Sequence, residues 1–253
     1  MDTSRISRVR HELKRRVLTV AAVEPLTPRM VRIVLGGDDL SDFVSLGYDD
    51  HVKLMFPPDR PLAEGERPPM REFTPRAYDN EARTLAIDFA LHDSGLANDW
   101  AAGVSVGDRL AVGGPRGSMV VEDTFDWYLL VGDESAAPAI ARRLEELRPE
   151  ARALVVIAVA GPEEEIPLPS RADTDITWVH RPLAEGDDPA PILEALAALQ
   201  LPEGEGYCWA AGEHAVAKAV RAHLVERPQV NTDWLKAAAY WRKGHADSHE
   251  KIA

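Results

Sequence analysis

The string Arg71-Glu72-Phe73-Thr74-Pro75-Arg76 sets two guanidinium groups, an aromatic ring and a hydroxyl within six residues. A planar guanidinium fork pairs with the oxygens of a diphosphate. A flat ring can lie against a ribityl chain or a ring face. A threonine hydroxyl, or the backbone N–H beside it, can bond a ring nitrogen. Together these groups suit the successive parts of a flavin nucleotide. Pro75 withholds a ladder donor and pushes Thr74 toward an extended conformation, which marks the end of a strand. An edge strand with surface arginines and one buried phenylalanine accounts for the same string, so these residues alone leave both readings open.

A second string runs from Asp88 to Ala101, through Phe89-Ala90-Leu91-His92-Asp93-Ser94-Gly95-Leu96-Ala97-Asn98-Asp99-Trp100. A strand ending at His92, a glycine turn and a helix beginning near Ala97 would present free N–H groups to a phosphate. His92 and Asn98 add side-chain donors, although a plain strand–turn–helix connection reads the same way. A third string, Val131-Gly132-Asp133-Glu134-Ser135-Ala136-Ala137-Pro138-Ala139-Ile140, stands at the carboxyl end of a first strand that opens onto a helix. A doubly wound sheet binds its ligand there. Gly132 permits a tight turn, and Ser135 with the small Ala136 and Ala137 lets backbone amides approach a pyrophosphate. The G-x-G-x-x-G fingerprint is absent. Trp209-Ala210-Ala211-Gly212-Glu213 occupies the equivalent turn of a later strand. Small residues are needed at such turns in any α/β fold.

The elements that must position these strings change character along the chain. From about Val17 to Val121, short alternating segments with Gly and Pro punctuation predict a small antiparallel barrel. These include 30–35, 51–56, 84–91 and 109–112. Pro57 to Pro69 reads as a surface loop. After about Asp126, strands at 127–131, 154–159, 176–179 and 207–210 alternate with helices reaching Leu147, spanning 191–199 and spanning 213–225. That alternation predicts a parallel sheet covered on both faces. The expected architecture is therefore β + α/β: an N-terminal antiparallel β-barrel domain at 1–124, then a parallel α/β nucleotide-binding domain with a C-terminal tail at 125–253.

Composition narrows the function. The 253 residues are 45% hydrophobic and 28% charged, with a net charge of −13 that argues against general nucleic-acid binding. Residues Arg5 to Arg16 are mostly basic, opposed only by Glu12, and contain no apolar core of a secretory signal. They read as a solvated lead-in to a first strand. The longest apolar run, Ala153 to Ala160, suits a buried strand rather than a membrane span. Cys208 is the single cysteine, so neither an intrachain disulfide nor a cysteine-ligated metal is expected, and the cytoplasm fits best.

The four strings, with Tyr240-Trp241-Arg242-Lys243-Gly244 as a fifth, resemble in order the motifs of the siderophore-interacting, FAD-binding ferric-siderophore reductases, a branch of the ferredoxin-reductase-like superfamily. The resemblance spans nearly the whole chain. It implies that Arg71, Phe73 and Thr74 hold FAD with Arg76 nearby, and it counts Asp88 among the cofactor-binding residues. His92, Ala97, Asn98 and Trp100 would line the pyrophosphate end. Gly132, Glu134, Ser135, Ala136 and Pro138, with Ala211, Gly212 and Glu213, would form the nicotinamide-nucleotide side. The chain departs from the family pattern in several places. Phe73 replaces Tyr and loses a hydroxyl, Asp93 replaces Gly, Leu96-Ala97-Asn98 replaces Pro-Ala-Ser, and Ser135 replaces Thr.

Ferric siderophores are often anionic, and screening over roughly 8 Å makes nearby charges matter more than the distant total. Lys53, Arg242 and Lys243, with Trp241 beside them, are the expected substrate contacts. Each could equally be a solvated side chain, and Trp241 could simply plug the end of the core. His51 reads as strand surface. The resemblance implies that NADH or NADPH supplies a hydride and that FAD passes the electrons on singly to Fe(III), which leaves its ligand as Fe(II). No catalytic triad and no resident metal are expected. Glu163-Glu164-Glu165 would repel a 2′-phosphate, which favours NADH, while Arg171 stands close by in sequence. Reduced ferredoxin is an alternative donor. Two rival readings are a general NAD(P)H:flavin oxidoreductase of the same fold and a siderophore-binding flavoprotein without turnover. The expected partners are limited to the ferric siderophore, with no nucleic acid, no stable membrane association and a monomeric state.

Overall fold

A computed structural model describes residues 5–57, 65–92, 95–245 and 252. Residues 58–64 of the expected proline-rich loop, together with Asp93, lie outside this set. The chain divides into two compact units, Met1–Val121 and Glu122–Ala253.

The first unit is built from β1 (Ile6–Arg10), β2 (Arg15–Thr27), β3 (Met30–Gly36), β4 (Val52–Met55), β5 (Met70–Phe73), β6 (Ala77–Asp79), β7 (Thr84–Ala90), α1 (Leu96–Gly103), β8 (Arg109–Gly113) and β9 (Gly117–Val121). Seven strands form one antiparallel sheet in the order β5-β4-β8-β2-β3-β7-β6, and β1 pairs with β9 as a separate ribbon. The expected barrel is thus a single antiparallel sheet, with β5 and β6 at its two edges. These two edge strands are consecutive in the chain, so Thr74-Pro75-Arg76 runs from one edge of the sheet to the other. Pro75 suits this place because an edge crossing needs no ladder donor there. Alternation supplies the core: Ile33, Leu35, Val52, Leu54, Leu85, Ile87, Leu110 and Val112 all face inward.

The second unit holds β10 (Trp127–Asp133), α2 (Ala137–Glu146), β11 (Arg152–Val159), β12 (Asp173–His180), α3 (Ala190–Ala198), β13 (Gly206–Glu213), α4 (His214–Val225) and β14 (Leu235–Trp241). Its five strands are all parallel, in the order β12-β11-β10-β13-β14. β10 and β13 are buried along their whole length, as a central strand covered on both faces must be. Ile192, Leu196, Val216, Val220 and Leu224 of α3 and α4 cover the face that carries Trp127, Leu129 and Val131. On the opposite face, α2 packs against Gly132 through Ala136 and Ile140.

β11 and β12 are joined without an intervening α-helix, and the sequence reading places none between them. That crossover holds only a short 3₁₀ turn, Pro162–Glu164. Pro162, Pro167 and Pro169 remove amide donors and clash with preceding carbonyls, so no α-helix can propagate there. β1, β6, β9 and β14 are further strands that the sequence reading does not anticipate. Among the described residues, no helix is long and apolar enough to cross a membrane.

Gly206 opens β13 directly against the indole of Trp127, where an added Cβ would stand 2.1 Å from ring carbons. Gly206→Ala is therefore expected to cost about 1–3 kcal/mol through overpacking. Urea unfolding followed by tryptophan fluorescence checks this. A midpoint equal to that of the unaltered protein would mean that the ring has room to turn away.

Candidate functional site

In the first unit, the crossing from β5 to β6 sets the last residue of the opening string, Arg76, against a buried carboxylate. The Asp88 side chain is fully buried and accepts from Arg32 Nε at 2.7 Å and Arg32 Nη2 at 2.8 Å. Arg76 Nε lies 3.9 Å from Asp88 Oδ2, and Arg76 is itself buried. The Arg76 backbone N–H donates to the Ala86 carbonyl at 2.9 Å, which closes the crossing onto β7. Arg76 thus has an assignment: it shares Asp88 with Arg32 and is held in place by it. Asp88, expected among the cofactor contacts, is covered by these two guanidinium groups.

Phe73 lies against Phe89, with ring centroids 4.4 Å apart, and stays half-buried, so part of its surface is open for stacking. Trp100 of α1 joins the same aromatic group, 5.8 Å from Phe89 and 5.6 Å from Phe56. Ala97 packs on the sheet core beside it. Thr74 is buried. Arg71 donates from Nη1 to the Met70 carbonyl at 2.8 Å. Asn98 takes a role the sequence does not suggest. Its Oδ1 accepts the His92 backbone N–H at 2.9 Å, and its Nδ2 donates to Asp99 Oδ1 at 3.2 Å. Asn98 therefore closes the turn back onto β7. Among the described residues, no side chain caps the N-terminus of α1 at Gly95.

In the second unit, strand order reverses between β10 and β13, the point where an open parallel sheet makes its crevice. Gly132 pairs with Ala211 across that switch, so the third and fourth strings meet. A Cβ on Gly132 would lie 2.5 Å from the Ala136 Cβ and 3.1 Å from the Ala211 carbonyl oxygen. Gly132 is therefore the residue that lets α2 begin this close to the sheet, with Pro138 in its first turn. The fifth string arrives through β14, where Trp241 pairs with Glu213.

Asp133 stands at the centre and is 2% exposed. Its Oδ1 accepts the Ser135 N–H at 2.9 Å and the Ser135 hydroxyl at 2.5 Å. Its Oδ2 accepts the Glu213 N–H and the Trp241 Nε1–H, both at 2.9 Å. Ser135 is thus turned inward by both of its donors. Glu213 caps α4 by accepting from the Ala215 and Val216 amides, and its Oε1 accepts the Lys243 N–H at 3.2 Å. Trp241 lays its ring against Gly186. Sequence reasoning assigned no role to Asp133, and the acid between Gly132 and Glu134 was the available signal. Its four donors come from two strands and a turn that only the fold assembles.

Glu134 and Arg181 form a second buried pair, with Arg181 Nη2 donating to Glu134 Oε2 at 3.0 Å. Burial, with the Asp133 charge next in size, pushes the Glu134 carboxyl up to about 7, against the pull of Arg181. Arg181 also goes unmarked in the sequence. The Glu163-Glu164-Glu165 run does not present three free acids. Glu164 is buried, and Glu165 lies 2.9 Å from His180 Nε2.

The expected substrate lysines each face an acid. Lys53 lies 3.4 Å from Glu72, and His51 lies 3.5 Å from the same carboxylate. Lys243 pairs with Asp187 at 2.5 Å and donates to the Ala184 carbonyl, and the Lys243 hydrogen bond lowers the Asp187 carboxyl below its usual range. Arg242 forms an isolated bridge with His245 just past β14.

Comparison with known proteins agrees with this architecture. The siderophore-interacting FAD-binding domain matches residues 19–63 and 59–119, and the siderophore-interacting protein model matches 125–244. The NADPH-dependent ferric-chelate reductase of Escherichia coli is 38% identical, covering 92% of this chain and 95% of that protein. The chain belongs to the siderophore-interacting protein family. Within that family, the ferric vibriobactin reductase ViuB of Vibrio cholerae is 28% identical over 90% of both chains. The crystal structure of a siderophore utilization protein from T. fusca superposes with a TM-score of 0.88 at 38% identity, covering 96% of this chain and 99% of that one.

The Glu134 environment has a consequence for stability in this siderophore-interacting protein. A carboxyl raised in the folded state holds a proton that the unfolded chain has already released, so its contribution to stability declines as pH rises from about 4.5 to about 7. Relative to Glu134→Gln, the unaltered protein is expected to lose on the order of 2–3 kcal/mol across that window. Parallel denaturant titrations at several pH values measure this difference. A difference that stays constant with pH would place the Glu134 carboxyl in its ordinary range.

Proposed function

We propose that this protein is a flavin-dependent ferric-siderophore reductase, taking electrons from NAD(P)H and delivering them through FAD to Fe(III) bound by a siderophore. The family match supports the flavin, and the reductase names of its relatives support the substrate. One structural observation carries the reading furthest. The crossing from β5 to β6 gathers Arg71, Phe73, Thr74 and Arg76 at one seam of the sheet, and the buried Asp88 fixes Arg76 there.

The donor set fits FAD. Arg71 offers a cationic donor for a diphosphate with the buried Arg76 nearby, the first-turn amides of α1 offer more, and the half-buried Phe73 offers an apolar face. When bound, FAD supplies a two-electron acceptor that can release its electrons singly, which matches a hydride donor to Fe(III). The chain's own residues do the positioning. Phe89, itself in contact with Trp100, backs Phe73 and holds its ring in place. Asn98 ties His92 to α1.

On the nucleotide side, Gly132, Ala136 and Pro138 bring α2 against the switch point, and Ala211 and Gly212 keep the facing turn low. We assign NADPH as the donor. The E. coli relative is NADPH-dependent by name, and of the acidic run Glu164 is buried while the exposed Glu165 is paired with His180. Lys53, Arg242, Lys243 and Trp241 are proposed to meet the ferric siderophore. The cytoplasm is the proposed location and a monomer the proposed state. A general NAD(P)H:flavin oxidoreductase is the second reading, favoured by the acidic partners of both lysines, which reduce their pull on an anionic chelate.

The purified protein is expected to show flavin absorbance that bleaches under anaerobic NADPH and returns on addition of a ferric siderophore. Failure to take up FAD, or to bleach with NADPH, NADH and reduced ferredoxin alike, would end the reductase assignment. Replacing Lys53, Arg242 and Lys243 together by Ala is expected to lower kcat/KM for an anionic ferric siderophore about tenfold while sparing a neutral dye acceptor. Such a loss corresponds to about 1.4 kcal/mol of transition-state binding. Equal loss with both acceptors would favour the second reading.

A further inference from the structure

The Asp133 carboxylate offers four acceptor positions, and all four are taken, by Ser135 N, Ser135 Oγ, Glu213 N and Trp241 Nε1. These donors belong to three separate segments: the first strand-to-helix turn, the end of β13 and the end of β14. Gly212 shows how closely they are fitted. It has φ 147°, and a Cβ there would stand 2.5 Å from Asp133 Oδ2, so only glycine leaves room for the carboxylate. From Glu213 the chain of contacts continues to Lys243, whose N–H bonds Glu213 Oε1 while its ammonium is held by Asp187 and the Ala184 carbonyl.

We propose that Asp133 is a positioning residue, holding the nicotinamide-side turn at Ser135 and the C-terminal segment Trp241–Lys243 in a single register, so that releasing one contact loosens the other. The proposal rests on the functional reading above, in which the turn meets the nucleotide and the segment meets the ferric siderophore. Ser135 and Trp241 are linked on opposite oxygens of one carboxylate. Removing either donor leaves that carboxylate partly unsatisfied in a buried place, where an unmet acceptor is costly and the group shifts to recover a partner. A shift of Asp133 carries the remaining donors with it. An amide at this position could not serve, because its NH2 group would confront donors already pointing at it.

Ser135→Ala removes one hydroxyl and keeps the backbone bond, and Trp241→Phe keeps an aromatic ring and removes only the indole donor. With FAD-loaded protein, binding of NADP+ and of NAD+ is measured by calorimetry, which needs no turnover, and KM for a ferric siderophore is measured in steady state. Each single change is expected to weaken the preferred nucleotide three- to tenfold and to raise the siderophore KM. The double change should fall at least threefold short of the product of the two, the mark of a shared partner. In anaerobic rapid mixing, the loss should appear in the nucleotide Kd more than in the limiting rate of flavin bleaching.

Penalties that simply multiply, or a Trp241→Phe variant that binds nucleotide normally, would overturn the proposal. Asp133→Asn provides a further check: it is expected to impair both measurements together, and damage confined to melting temperature would count against the proposal. If the unaltered protein bound neither nucleotide, the functional reading would fall and this inference with it. Normal binding with multiplied penalties would sink the inference alone.

Discussion

The α/β unit depends on one buried negative charge. Asp133 lies at the end of the central strand, where burying a carboxylate is costly unless every lone pair is met. Four donors meet it, and the requirement shapes its surroundings. Gly212 is glycine because the carboxylate lies beneath it. Ser135 is turned inward because both of its donors are needed. Trp241, at the end of the edge strand β14, is secured by its indole N–H rather than by packing alone. A second consequence falls on Glu134, whose carboxyl is raised mainly by burial and next by its charged neighbour.

The β unit solves a similar problem with the signs reversed. Arg76 is a buried guanidinium, and Asp88, shared with Arg32, makes its burial tolerable. The crossing between the two edge strands is therefore anchored by a charge network at one end and by the Phe73–Phe89–Trp100 aromatic group at the other. A strand crossing built this way presents its side chains in fixed directions, which is what the proposed flavin site needs. Asn98 contributes in the same sense by closing the turn that leads into α1.

Electrostatics temper the picture of a basic substrate cluster. Exposed pairs such as Lys53–Glu72 and Lys243–Asp187 add little stability. Their larger effect is on the local field, because each lysine presents an ammonium whose charge is partly cancelled within a few ångströms. On a chain of net charge −13, such partnering favours recognition by shape and hydrogen bonding over long-range attraction.

Much of this protein was legible before folding was considered. Period-two alternation marked the strands of the first unit, because inward and outward side chains must take turns on a pleated sheet. Continuous apolar runs such as 153–160 marked the buried parallel strands, and the change of period near Asp126 marked the change of architecture. Gly132 and Gly212 were visible as special positions but read as turn residues; both lie at strand ends, where Gly132 makes room for Ala136 and Gly212 for the Asp133 carboxylate. What the sequence could not show was which groups the turns would bring together. β14 is centred on three alanines, which are poor strand signals, and it lies along β13, so the partner of Trp241 was hidden. Asp133 looked like one acid among 42 acidic residues, and Glu163-Glu164-Glu165 looked like an open negative wall until Glu164 proved buried and Glu165 paired with His180. Local pattern determines which face of each element turns inward. Where a buried charge finds its partners depends on strands far apart in the chain, and only the tertiary structure decided that.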